Sequence, residues 1–190
     1  MMEVMSTRQL DDGEPCQEPF RTTAHLGERS VLRHAHWEFR RRLGSITVML
    51  SATAISQSDT DPLSGLVLCD VPKPEPKPGW SIIRVVASSL NMHDLWTLRG
   101  VGHPPERLPI ILGCDAAGYD EDGNEVIVYP VIADADAGMG DETLDPNRAL
   151  LSEQHNGTFA EYLTVPTRNL VPKPDWLSFD EAACLPVAWT

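Results

Sequence analysis

The sequence predicts a mainly β domain of the barrel or sandwich kind with a few short helices, and three features carry that expectation. From Ser45 onward, short runs rich in Val, Ile and Leu recur at close intervals. Pro, Gly and Asp separate them, which is how turns punctuate successive strands. No G-x-G-x-x-G follows any of the runs, so the alternating βαβ units of a nucleotide-binding sheet are not expected.

The strand-like runs, in order, are Ile46–Leu50, Leu63–Val71, Trp80–Ala87, Pro109–Leu112, Glu125–Tyr129, Thr158–Val165 and Asn169–Val171. Between the second and third lies Pro72-Lys-Pro-Glu-Pro-Lys-Pro78-Gly79. Alternating prolines fix φ and favour polyproline II, so this segment reads as a stiff crossing loop, with a ligand for a proline-reading domain as the alternative. Asn91-Met-His-Asp-Leu-Trp-Thr-Leu98 begins with a capping-type residue and stops at Arg99-Gly100, the pattern of one two-turn helix. Ser178-Phe-Asp-Glu181 is a capping box opening a second helix. Pro186 is expected to kink that helix, because it removes a backbone donor. Residues 1–44 show no sustained period beyond a short patch, Val31–Phe39, and read as a poorly ordered extension. The division expected is therefore 1–44 extension, 45–176 β domain and 177–190 the start of a linking helix.

Composition removes several classes of function. At 190 residues the chain is one ordinary domain, or one domain and a tail. No window approaches the ~18 consecutive apolar residues of a membrane span, and Met1–Leu10 lacks the apolar core of a secretory signal. Residues 1–48 hold seven Arg and seven Asp/Glu, whereas 49–190 hold eight Lys/Arg and twenty-one Asp/Glu, so the acidic body carries the whole net charge of −13. Such a body repels a phosphate backbone, and Arg40-Arg41-Arg42 is too short to reverse that, so nucleic acid is not an expected partner. Cys16, Cys69, Cys114 and Cys184 form no C-x-x-C pair. That argues against a Cys-only zinc site, shows no disulfide scaffold and points to a reducing, cytoplasmic setting. His34-x-His36 lacks a third ligand at a sensible spacing. Asp134-Ala-Asp-Ala-Gly-Met-Gly-Asp-Glu142 departs from a calcium loop, with Met139 where the glycine belongs, and reads as a solvated acidic loop.

Four motifs in the same order and register resemble the medium-chain dehydrogenase/reductase family. They are Ser88-Ser-Leu-Asn-Met-His-Asp-Leu-Trp-Thr-Leu-Arg-Gly100, Leu108-Pro-Ile-Ile-Leu-Gly-Cys-Asp-Ala-Ala-Gly118, Gly157-Thr-Phe-Ala-Glu-Tyr-Leu-Thr-Val165 and Leu177-Ser-Phe-Asp-Glu-Ala-Ala-Cys-Leu-Pro186. The quinone oxidoreductase and zinc-type alcohol dehydrogenase branches are the most similar. The resemblance implies a GroES-like irregular β-barrel as the catalytic domain, followed in the family by a Rossmann domain for NADP(H) or NAD(H). Only the first is expected here. The resemblance breaks off inside the helix that joins the two domains, so the chain by itself is expected to have no turnover.

The resemblance also assigns site residues. Asn91 stands where zinc-dependent members place their first Cys ligand, Gly113-Cys114-Asp115 replaces Gly-His-Glu, and the third ligand position falls near Val187. Zinc is therefore not expected, since a catalytic site wants three protein ligands. The implied chemistry is direct hydride transfer between nicotinamide and a quinone or other small carbonyl. Asn91 would lie at the nicotinamide end of the cleft, with Val187 as a further part of the cofactor's wall. His93 occupies the place of the family's proton-relaying hydroxyl, and an imidazole, with an ordinary pKa of ~6.5, can protonate an oxyanion. Asp94 would orient the loop, while Trp96, Cys114 and Asp115 would border the substrate, with Trp96 as part of the barrel core and Cys114 as a small buried hydrophobe the alternatives. Two alternatives stand beside this reading: a zinc-dependent alcohol dehydrogenase, and a stand-alone GroES-like binding module. Family members are often homo-oligomers, and apolar surface at Leu185, Val187 and Trp189 is expected to promote self-association.

Overall fold

The computed structural model describes residues 48–134 and 136–189. The extension read at 1–44, with Val31–Phe39, His34, His36 and the Arg40–Arg42 cluster, lies outside the described residues.

Among the described residues, ten strands and three short α-helices follow one another along the chain. The strands are β1 (Val48–Ala54), β2 (Leu66–Pro72), β3 (Trp80–Ser89), β4 (Ile110–Ile111), β5 (Asp115–Tyr119), β6 (Glu125–Val128), β7 (Val131–Ile132), β8 (Ala149–Leu150), β9 (Tyr162–Pro166) and β10 (Leu170–Pro172). The helices are α1 (Met92–Arg99), α2 (Phe179–Ala183) and α3 (Pro186–Trp189). Three antiparallel sheets result, ordered β2-β1-β4, β10-β6-β5-β3-β9 and β7-β8. The segment entering β9 links the first two. The Ala52 amide donates to Phe159 O at 2.8 Å, the Glu161 amide donates to Leu50 O at 3.2 Å, and Ser51 bridges Ala160. The mainly β fold expected from the spacing, and the irregular barrel implied by the family resemblance, are what is observed.

Alternation decides which side of each strand faces inward. Ile83 in β3, Val126 and Val128 in β6, and Leu163 and Val165 in β9 pack with Ala116 and Leu151 into the main core. A second core joins Ala54, Ile110 and Leu112 to Leu98 of α1. Besides the two-residue strands β7 and β8, the strand that the apolar pattern does not mark is β5. Its Asp-Ala-Ala-Gly sequence lacks the bulky side chains that advertise a strand, yet it lies next to β3 at the centre of the large sheet. Its residues are small because both faces are covered: Ala116 meets the main core, and Ala117 meets Ala182 and Ala183 of α2. Opposite Gly118, β3 carries a bulge between Val85 and Ala87, and a Cβ on that glycine would collide with Arg84 O.

Caps fall where the sequence places them. Helix α1 starts after Asn91 and ends at Gly100, which adopts φ +77°. At α2 the Glu181 amide donates to Ser178 Oγ and the Ser178 amide to Glu181 Oε2, at 3.2 and 2.9 Å. Pro186 behaves differently from expectation. Rather than kinking one helix, it opens a new one, since α2 closes at Cys184 and a proline at a first helical position loses no bond it would have made. Upstream of α2, the buried Lys173 ammonium pairs with Glu125 Oε2 at 2.7 Å and donates to Leu177 O at 2.7 Å. It thereby pins the approach to α2 onto β6.

Cys114 and Cys184 are free thiols, and Cys69 is disulfide-bonded. The wide spacing of the cysteines does not signal that bond. The acidic stretch turns its carboxylates onto its own backbone. Asp145 accepts from the Asp134 and Asn147 amides, and Asp141 accepts from the Thr143 amide and hydroxyl.

Candidate active site

Two buried carboxylates organise the ends of three elements at one place. Asp115, at the start of β5 and 1% exposed, uses both oxygens. Its Oδ2 accepts from Ser89 Oγ at 2.7 Å and from Asn91 Nδ2 at 2.9 Å. Its Oδ1 accepts from the Val187 backbone amide at 2.8 Å. Asp94, 4% exposed, sits in the first turn of α1. Its Oδ2 accepts from the Asn91 amide and its Oδ1 from the Gly113 amide, each at 2.8 Å. Burial raises the Asp94 pKa above the ordinary carboxylate value, and these two amide donors pull against that shift. Together the carboxylates lock the end of β3, the start of α1, the turn at Gly113 and the start of α3 into one arrangement.

Glycine is required at the turn. Gly113 adopts φ +95°, and a Cβ there would overlap Thr158 Oγ1 and the Phe159 ring. The backbone can then pass close to the 157–159 segment, whose Thr158 amide donates to Gly113 O at 3.0 Å.

The remaining site residues divide by exposure. Asn91 is half-buried, with its amide group committed to Asp115. His93 is half-buried, and its Nε2 is buried with no hydrogen-bond partner among the described residues. Trp96 is 46% exposed, so it lines the surface of α1 and does not fill the core. Cys114 is fully buried and its thiol donates to Leu151 O at 3.3 Å. Burial, reinforced by Asp94, Asp115 and Glu153, pushes its pKa far above the usual thiol range, so it is a packed hydrophobe in this chain and not a thiolate. Val187 enters through its backbone amide. The sequence motifs therefore converge: Asn91, Asp94, Asp115 and Val187 share one network with Ser89 and Gly113, and His93 borders it on α1.

His103 has no motif to announce it. It is 5% exposed, and neither ring nitrogen has a partner among the described residues. The loop that carries it is held by Gln57, whose Nε2 donates to Thr97 O and His103 O, both at 3.0 Å. Burial lowers the His103 pKa below 6.5. Arg107 and His93 add to this, while Glu153 and Glu106 oppose it. A depressed folded-state pKa means that, below about pH 6.5, the unfolded chain takes up a proton the folded chain resists. Stability present above that pH is therefore lost as pH falls toward the folded value, and His155, also lowered by burial, acts in the same direction. His103→Phe should flatten the decline in unfolding free energy, measured by urea titration, between pH 7 and 5, by up to ~1.4 kcal/mol per pH unit. Equal slopes in the variant and the parent would exclude His103 as the source.

The alcohol dehydrogenase GroES-like domain family matches residues 77–175, just over half of the chain. A crotonyl-CoA reductase of Streptomyces avermitilis is 32% identical over 159 residues, covering 68% of this chain and 36% of that protein. A zinc-type alcohol dehydrogenase-like protein of Schizosaccharomyces pombe is 33% identical over 126 residues, covering 66% and 35%. Among solved structures, an NAD-dependent alcohol dehydrogenase superposes with a TM-score of 0.64 at 32% identity, over 73% of this chain and 43% of that one. A crotonyl-CoA carboxylase/reductase shares the fold with a TM-score of 0.65 at 23% identity, over 73% and 36%. The chain spans about a third of the length of the curated relatives it matches.

Proposed function

Since the chain belongs to the alcohol dehydrogenase GroES-like family, within the medium-chain dehydrogenases/reductases, we propose that it forms the N-terminal catalytic part of an NAD(P)(H)-dependent oxidoreductase. The reaction is hydride transfer to or from a quinone or other small carbonyl compound. Similar proteins named an NAD-dependent alcohol dehydrogenase and a crotonyl-CoA reductase are consistent with hydride chemistry on a small substrate. The observation that carries the reading is the network at Asp115, which joins Asn91 to the amide of Val187 in the linking segment.

A bound nicotinamide supplies or accepts the hydride. Asn91 and the Val187 backbone would form this chain's part of its wall, their spacing fixed by Asp115. As hydride reaches a carbonyl carbon, the oxygen gathers negative charge and needs a proton or a donor. The His93 imidazole delivers that proton from α1, with Asp94 holding the helix start in place. Trp96, partly exposed on the same helix, borders the substrate.

Zinc does not fit this donor set. Both Asp115 oxygens are committed to protein donors, the Cys114 thiol is buried and bonded to Leu151 O, and Val187 offers no ligating side chain. Reading the coding sequence beyond the Thr190 codon tests the whole proposal. An in-frame strand followed by G-x-G-x-x-G is expected, and its absence would remove the oxidoreductase reading. In the enzyme so encoded, His93→Gln should lower turnover of NADPH with a quinone by about 10²-fold with little change in KM. Unchanged turnover would take the proton-donor role from His93, and stoichiometric zinc in the purified enzyme would overturn the metal-free chemistry.

A further inference from the structure

Away from that network, on the flank where β1 faces β3 and β9, the barrel has a cavity of about 200 Å³. None of the carboxylate-linked site residues lines it. The geometry points to a binding site for a small planar carboxylate, of about one aromatic ring, held between the Pro-rich crossing loop and β9.

Charge is the first argument. The body of this protein carries eight Lys/Arg against twenty-one Asp/Glu over residues 49–190. One of those eight, Lys77, lines this cavity, a second, Lys73, sits on the ring of the lining residue Tyr162, and no Asp or Glu is among the lining residues. Each ammonium is parked on an aromatic face: Lys77 Nζ lies 3.7 Å from the Trp80 ring centroid and Lys73 Nζ 3.8 Å from that of Tyr162. Such contacts hold a lysine head near the surface of the pocket at modest cost.

Unused hydrogen-bonding capacity is the second. Thr164 lines the cavity, and its buried Oγ1 has no partner among the described residues. Leaving a buried hydroxyl unpaired costs on the order of 1–3 kcal/mol, a cost that a bound acceptor would relieve. Asn156, also on the lining, accepts the Ile111 amide with its Oδ1 at 3.3 Å, which leaves its NH₂ uncommitted among the described residues. A carboxylate accepts from a hydroxyl, an amide NH₂ and an ammonium together, whereas a cation would meet Lys77.

Shape is the third. Trp80 and His155 meet with ring centroids 5.4 Å apart at 57°, and Met49, Ile111 and Leu163 supply apolar walls. Burial and Lys77 keep the His155 ring neutral near pH 7, so it adds an uncharged face. The volume falls below the roughly 300–1,000 Å³ of drug-sized sites, which selects a single ring over a larger ligand.

Benzoate is the probe, with benzamide as its neutral counterpart, titrated into the ¹⁵N-labelled chain and followed by amide and indole resonances. Saturable shifts at Lys77, the Trp80 indole, Asn156, Gly157 and Thr164 are expected, with a Kd on the order of 1 mM. Lys77→Gln, at an exposed position, should weaken binding at least about fivefold. Thr164→Val should weaken it too, while resonances elsewhere stay in place. Benzamide should bind at least about fivefold more weakly than benzoate. No saturation by about 20 mM, equal binding of benzamide, or indifference to Lys77→Gln would each overturn the assignment. Because the readout is binding to this chain, it stands or falls separately from the oxidoreductase reading.

Discussion

Gly113→Ala is expected to abolish stable folding, or to lower stability by at least about 3 kcal/mol. Two costs add. An L-residue held at φ +95° pays about 1–2 kcal/mol for its backbone alone. The new Cβ also meets Thr158 Oγ1 and lies 2.5 Å from Phe159 Cδ1, in a turn whose amide is already bound to Asp94. Relief would require moving the 157–159 segment, which hydrogen-bonds Ile111, Leu112 and Gly113. Gly123→Ala carries the first cost without the second, since Gly123 has φ +86° and a methyl group there would meet nothing within 4 Å. That variant should lose only about 1 kcal/mol. Denaturant midpoints of the two variants side by side make the comparison, and similar losses would refute the steric argument.

Asp115→Ala should cost about 3–5 kcal/mol, because it strands three donors at once: the Ser89 hydroxyl, the Asn91 amide and the Val187 backbone N–H. Each unpaired buried donor costs on the order of 1–3 kcal/mol, less where water can reach it. Ser89, Asn91 and Val187 are all half-buried, so each lies toward the lower end. Asp115→Asn keeps one acceptor oxygen but turns an NH₂ group toward other donors, so it should fall between parent and alanine variant. Hydrogen exchange at the Val187 amide separates a local effect from a global one. The expected result is a loss of protection there that exceeds the change in global stability; protection at Val187 equal to the parent's would show that the bond carries no weight.

Much of the fold was legible because its signals are local. Asn91 with Gly100, and Ser178 with Glu181, mark helix ends by the chemistry of orphan backbone groups, and the structure places the ends there. The apolar runs locate β3, β6 and β9 for the same reason, each alternating between a core face and an outer one, and β10 by its short apolar run alone. Strand β5 escapes that reasoning, because a strand covered on both sides by close neighbours selects Ala and Gly, which carry no alternation. Pro186 is ambiguous in sequence, since a proline suits a helix start as well as a break, and only the end of α2 at Cys184 decides between them.

Part of the candidate site is invisible to side-chain reasoning. Val187 takes part through its backbone amide, so no residue type at that position would have announced it. His103 has a buried ring set by the loop after α1, and its neighbours Arg107, His93 and Glu153 come from separate stretches of chain. Asp115, by contrast, stands out in sequence as an acidic residue between a cysteine and two alanines. Its three partners, however, come from the end of β3, the cap of α1 and the start of α3, and only the assembled fold brings them together.

The order of strands also bears on how the molecule is made. Strand β3 pairs with β5 on one side and with β9 on the other, with Trp80 opposite Pro166 and Arg84 opposite Tyr162. During synthesis, β3 therefore emerges roughly eighty residues before the partner that covers its second edge. Until then it presents open amides and carbonyls beside Ile82 and Ile83, the kind of edge that recruits another copy of itself. Arg84, exposed at the end of the stretch that β9 covers, places on that edge the kind of charge that opposes strand-to-strand association.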